Sequence, residues 1–569
     1  MQAPVCFTRN RRVLCASAVL ALISAACASA APAPSGNSFA FDSAVGDAVD
    51  PGTLDVEQPD VALHARIFAH DPNTDKKLTA EVVLPAPTSQ DGHLLGPFAD
   101  VLNCLPEEGG APLTDQGMTY GSTCHEIATV FPNADGSYLS YLPPDDYAAP
   151  DDSFAELQMY YHVHQMHAYF ADGFDMHDVD FPIQSVVNFS MYIDPKVAGG
   201  SGQTGGWQGF PNALFMPPEG FAAYGLPKVA NGAIIFGQYQ DVDFSYDSSV
   251  IYHEYTHAMV GTTRLSTEGF DGYGMDNLPR AMNEGFADYF SSAAREDPHI
   301  GPYALAGLEK GIYQRDLSQS RKCPDDLFSE MHADGKIIGS AMWEIRGAIG
   351  GTEADGIILK ALQKFTVDTS LAGAGQLIAS TATSVDKTIS AQVKKILNNH
   401  GIISCVRAKK WQAYDSATSP EQIAYSLTGE AMFGGKLPDG VPGYFQFYVD
   451  VPAGTKAVAL RWRAGVDSQG DLLYDKQMKV ALAISVGNPA TLGMTDAKVK
   501  ANVITAAVTD STGPGWMRVT LANTCLPPMA GKVYLMFLNQ GQNNLAIDKM
   551  QVDLLSSVPS DASVAVCGG

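Results

Sequence analysis

SSVIYHEYTHAMVG, Ser248 to Gly261, sets two histidines four residues apart inside an otherwise apolar segment. On a helix, residues i and i+4 share a face about one turn apart, so His253 and His257 can point their imidazoles at one spot. Glu254 lies roughly 100° around the helix from His253. The stretch is either a buried helix that accommodates polar residues or one half of a metal site. H-E-x-x-H is the arrangement a hydrolytic zinc uses: two imidazole ligands beside a carboxylate that reaches the open coordination position. There the ion lowers the pKa of a water to about 7, and the carboxylate can take its proton and pass it to a leaving nitrogen.

Downstream, LPRAMNEGFADYFSSAAR (Leu278–Arg295) has helical periodicity and puts Glu284 and Asp288 on one face. Glu284 can complete a His/His/Glu ligand set, and Asp288 can accept the second ring N–H of a ligating histidine. Alone, this block reads as a solvent-facing acidic helix. Joined to H-E-x-x-H, it reads as the rest of a zinc site.

HEYTH followed by NEGFADYF resembles the gluzincin (thermolysin-like) metallopeptidases, and within them the fungalysin family. The resemblance runs from about Ser153 to Ile402. FAELQMYYHVHQMHAYFADGF resembles the helix that opens the fungalysin catalytic domain, and its His162, His164 and His167 read as structural. FPNALF resembles the edge strand that pairs with substrate backbone, which makes Asn212 and Ala213 substrate-binding candidates. MHADGKIIGSAMWEI resembles a family block in which His332 would donate a hydrogen bond to the tetrahedral oxyanion. The resemblance also implies a tyrosine donor between the two motif helices, for which Tyr273 is the candidate, and an arginine that grips the substrate carbonyl, for which it is Arg315. Two departures stand out: Ala258 follows HEYTH where fungalysins usually have glycine, and the region before the catalytic domain is shorter than the usual propeptide.

The expected fold is α+β, with a gluzincin catalytic domain over residues 151–403. Before it come a signal peptide (1–30), a linker (31–59) rich in Ala, Pro, Ser, Gly and Asp, and a β-rich region (60–150). After it comes an all-β, jelly-roll-like sandwich (404–569), where strand-like runs such as YFQFYVDVPAG and KAVALRWRAG resemble the bacterial pre-peptidase C-terminal domain. Arg9, Arg11 and Arg12 precede a short apolar run that ends in Ala28-Ser29-Ala30, the pattern of a cleaved secretory signal. A lipoprotein anchor at Cys27 is the competing reading. Beyond that region six cysteines remain, none in a C-x-x-C pair, so cysteine-ligated zinc is disfavoured and disulfides are expected. Proximity suggests Cys104–Cys124, Cys323–Cys405 and Cys525–Cys567, although spacing leaves the connectivity open.

The formal charge of −26 repels phosphate backbones and anionic lipid, so nucleic acid is a poor partner. No later stretch is long and apolar enough to span a membrane. A monomer is the default expectation. The cluster Asp241, Asp243 and Asp247 admits calcium as a second ion, though no loop has an EF-hand pattern. The leading expectation is a secreted zinc endopeptidase with Glu254 as general base, acting on proteins or peptides. Its rivals are a secreted binding or adhesion protein on an inactive metallopeptidase fold, and a zinc hydrolase of some other bond.

Overall fold

The computed structural model describes residues 63–88, 92–115, 118–194, 205–261, 265, 269–306, 308, 314–415, 425–429, 437, 439–464, 479–493, 499–500, 502–506, 508–509, 516–522, 530–541 and 545–560. The expected signal peptide, linker and Cys27 anchor, and the Cys525–Cys567 pair, lie outside these residues. Helices and strands both contribute heavily, as the α+β expectation requires. The chain forms two compact units, Met1–Ala258 and Met259–Gly569.

The first unit is built on one mixed sheet. Its main path runs Ala213–Met216, Ala233–Tyr239, Ile183–Ile193, Ala99–Leu105, Leu94–Leu95. The two central pairings are parallel, with Ala233 opposite Gln184 and Ala99 opposite Ile183. The central strand IQSVVNFSMYI is buried along almost its whole length, with Ser185, Asn188 and Ser190 buried among its apolar residues, because both faces are covered. The helix Phe154–Phe174 packs on this sheet and is buried along most of its length. Residues 94–127 pair into the same sheet as the strands after residue 183, so the expected boundary near residue 150 falls inside one sheet.

The three helical histidines are spent on local structure. His162 bonds the Tyr252 hydroxyl and the Phe68 carbonyl, His164 bonds the Tyr160 carbonyl, and His167 bonds Asp180. Beneath the sheet lies a buried amide–carboxylate network. Asn103 donates to Glu156, Asn188 to Asn103, and Gln238 to both Asn188 and Asp243. Burial pushes Glu156 and Asp243 up to about 7 and Asp152 to about 6.

The second unit begins with helices, chiefly Leu278–Arg295, Met331–Ile349, Gly351–Leu362, Leu371–Val385 and Lys387–Asn399. It then changes to strands. Ala408–Lys410, Gln446–Val451, Gly531–Asn539, Val480–Val486 and Asn502–Ala506 make one sheet; Tyr414–Asp415, Leu545–Leu555, Ala457–Ala464, Trp516–Ala522 and Val508–Thr509 make the path of another. Trp462 and Tyr425 of the second sheet meet Phe537 of the first, with ring centroids 5.3 and 5.8 Å apart. These buried aromatics form the core of a β-sandwich.

Among the described residues two disulfides are present, Cys104–Cys124 and Cys323–Cys405. Both follow the pairing that proximity suggested. No described helix is long and apolar enough to cross a membrane.

Candidate metal centre

The motif helix, Ser248–Val260, starts where Asp247 accepts from the Ser249 backbone N–H at 3.0 Å, a capping bond on an otherwise unsatisfied donor. Asp243 does the same for the short turn just before it, accepting from Ser245. These two members of the aspartate cluster serve as backbone caps, and nothing in the structure adds support for calcium there. Within the helix, His253 Nε2 and His257 Nε2 lie 3.1 Å apart with perpendicular rings. Glu254, between them, is buried.

The glutamate helix, Leu278–Arg295, has Pro279 in its first turn and Asp276 accepting from the Leu278 N–H at 3.0 Å. Its position against the helix Met331–Ile349 is set by glycines. A Cβ on Gly285 would lie 2.5 Å from the Gly335 carbonyl oxygen, and a Cβ on Gly335 would lie 2.7 Å from that of Ala281. Only glycine permits backbones this close. The glycine beside Glu284 in NEGFAD is therefore a packing requirement.

That close crossing brings His332 Nε2 to 3.3 Å from Glu284 Oε2. Glu330, which sequence reasoning missed, holds the other side of the ring. Its Oε1 accepts from His332 Nδ1 at 2.7 Å while its Oε2 caps the helix through the Ala333 N–H at 2.8 Å. Burial alone would lower the His332 pKa and raise that of Glu330. The neighbouring charges win at both: Glu284 and Glu330 raise His332, and His332 lowers Glu330. An acid two residues before His332 at a helix start was the available signal.

His253, His257 and Glu284 each offer one ligand atom, and these atoms lie within 4.8 Å of one another. The donor set fits zinc. Two ligands of one tetrahedral ion at ordinary Zn–N distances sit about 3.3 Å apart, close to the spacing of the two imidazole nitrogens.

Residues 134–361 match the model of the fungalysin metallopeptidase family (M36). This segment is fungalysin-like. Among curated proteins, none matches the chain. Every candidate site residue lies within the fungalysin-like segment, and the β-sandwich lies beyond it.

Elsewhere in the fungalysin-like segment, Asp288 is fully buried and pairs with Arg315, whose Nε lies 2.9 Å away. Burial disfavours the Arg315 charge, but Asp288 and Glu284 outweigh it and raise its pKa. Arg315 is thus placed as an ion-pair partner of Asp288. Tyr273 stands exposed at the turn of the hairpin Gly269–Asp276, its backbone N–H donating to Asp271. Asn212 immediately precedes the strand Ala213–Met216, in which Ala213 lies opposite Phe236. Among the described residues, that strand pairs on one side only.

Proposed function

We propose that this chain is a secreted zinc endopeptidase. The observation that carries the reading is the convergence of His253, His257 and Glu284 on one point, with Glu254 beside the two histidines. The match to a metallopeptidase family over the same residues supports it.

In this reading His253, His257 and Glu284 hold the ion. When bound, the ion supplies Lewis acidity to the scissile carbonyl and acidifies the attacking water. Glu254 takes the proton of that water as its oxygen bonds the carbonyl carbon. Glu254 then delivers the proton to the amine nitrogen as the C–N bond breaks. His332, fixed by Glu330, donates to the developing oxyanion, with Tyr273 as a second donor. Asp288 steadies a ligating histidine from behind, and Arg315 locks Asp288. Substrate backbone lies along the one-sided strand at Asn212 and Ala213. The leader-like N-terminus and the two disulfides support export.

The test is casein hydrolysis by the processed protein with and without 1,10-phenanthroline, beside Glu254→Gln, with zinc assayed in both proteins. Loss of cleavage in both arms, with zinc retained by the variant, is the expected result. Zinc binding without any cleavage by the wild type would overturn the reading in favour of a binding protein on this fold.

A further inference from the structure

The β-sandwich touches the helical part of its own unit around its first strand, Ala408–Lys410, where two basic residues reach the segments that lead to Tyr273 and His332. Arg407 sits at the bend just before this strand, and Lys409 lies within it. Arg407 is buried. Its Nη1 donates to the Met275 carbonyl and, at 2.7 Å, to the Tyr444 carbonyl; its Nη2 donates to Asp271 Oδ1; its Nε lies 3.7 Å from Asp276. One guanidinium therefore holds both strands of the hairpin that presents Tyr273, and ties them to a carbonyl of the sandwich.

The hairpin has further ties to the same module. The Leu492 N–H donates to the Gly272 carbonyl at 2.7 Å. Met275 joins Leu437, Val441 and Tyr444 in a small apolar cluster. Gly274 lies so close to Pro442 that an added Cβ would come within 2.9 Å of it.

Lys409 holds the other segment. Its Nζ donates to the Leu327 carbonyl at 2.9 Å and sits 4.2 Å over the Phe328 ring. The Phe328 N–H in turn donates to Asp334 at 2.6 Å, one turn into the helix that Glu330 caps and that carries His332. The Cys323–Cys405 bridge closes onto the same junction, two residues before Arg407.

We propose that Arg407 and Lys409 are positioning residues of the peptidase, through which the β-sandwich sets the hairpin of Tyr273 and the loop leading to His332. The proposal rests on the reading of Tyr273 and His332 as oxyanion donors. It makes the sandwich part of the working enzyme. The preference for arginine follows from its planar fork, which reaches several acceptors at once, whereas an ammonium reaches fewer.

The experiment uses the full-length processed chain with Arg407→Lys, Arg407→Met and Lys409→Met. Hydrogen exchange comes first because it does not depend on activity. Amides of residues 269–276 should exchange at least about tenfold faster in the Arg407 variants, and those of 327–333 in Lys409→Met, while strand 457–464 stays unchanged. On casein-derived peptide, kcat should fall about tenfold, with KM and zinc content held within about twofold. Combined with Tyr273→Phe, Arg407→Lys should cost less than about twofold more, because the donor it positions is already gone. Arg407→Lys keeps the charge and guards against a fold lost in Arg407→Met. Unchanged exchange in these segments, or faster exchange with kcat intact, would overturn the proposal. A wild type that phenanthroline and Glu254→Gln leave fully active would instead sink the zinc-peptidase reading.

Discussion

Glu330 shows what a single side chain does that a motif cannot reveal. H-E-x-x-H is legible because it needs only the geometry of one helix, and both histidine nitrogens do meet at 3.1 Å. Glu330 acts through position: the same carboxylate caps a helix and grips His332. Glu330→Gln keeps an acceptor for the cap but removes the negative charge behind the ring. It should lower kcat about tenfold with zinc content unchanged, as steady-state kinetics and metal analysis would show. Arg315 was expected to grip a substrate carbonyl, and its pairing with Asp288 lies beyond local pattern because the partner is distant in sequence.

Among the elements, the crossing of Leu278–Arg295 with Met331–Ile349 decides where Glu284 and His332 stand. Sequence reading gave helical periodicity for Leu278–Arg295, but a glycine in a helix pattern does not say which backbone approaches it. Gly285→Ala would force the Gly335 carbonyl away, costing roughly 1–3 kcal/mol of stability. Zinc affinity should fall as well, because Glu284 moves with the helix; calorimetry and competition with a chromophoric chelator would measure the two effects. If zinc affinity held while stability fell, the crossing would be structural only. Residues 94–127 fall in the region read as β-rich, yet the parallel pairing of Ala99–Leu105 with Ile183–Ile193 bridges a long intervening helix that local pattern does not register.

At the scale of the whole molecule, acidity governs how stability follows pH. Asp152, Glu156 and Asp243 are held above the ordinary carboxylate range by burial. At these three groups the folded state binds more protons than the unfolded chain between about pH 4 and 7, so their contribution to stability declines as pH rises through that window. Glu156→Gln removes one such group. Relative to wild type, the variant should gain about 2 kcal/mol between pH 5 and pH 8, read from thermal unfolding at each pH. The net charge of −26 adds self-repulsion that salt screens, so moderate salt should raise the wild-type Tm at pH 8. Composition gave the sign of this charge, but the buried acids become visible only when the sheet and its helix are assembled. Among the described residues the strand Ala213–Met216 pairs on one side only, and under the proposed reading of it as the substrate edge this limits what would be digested. A ladder partner must arrive stretched out and stripped of its own secondary structure, so intact helices would be spared, while loose linkers, frayed ends and denatured chains would be cut first.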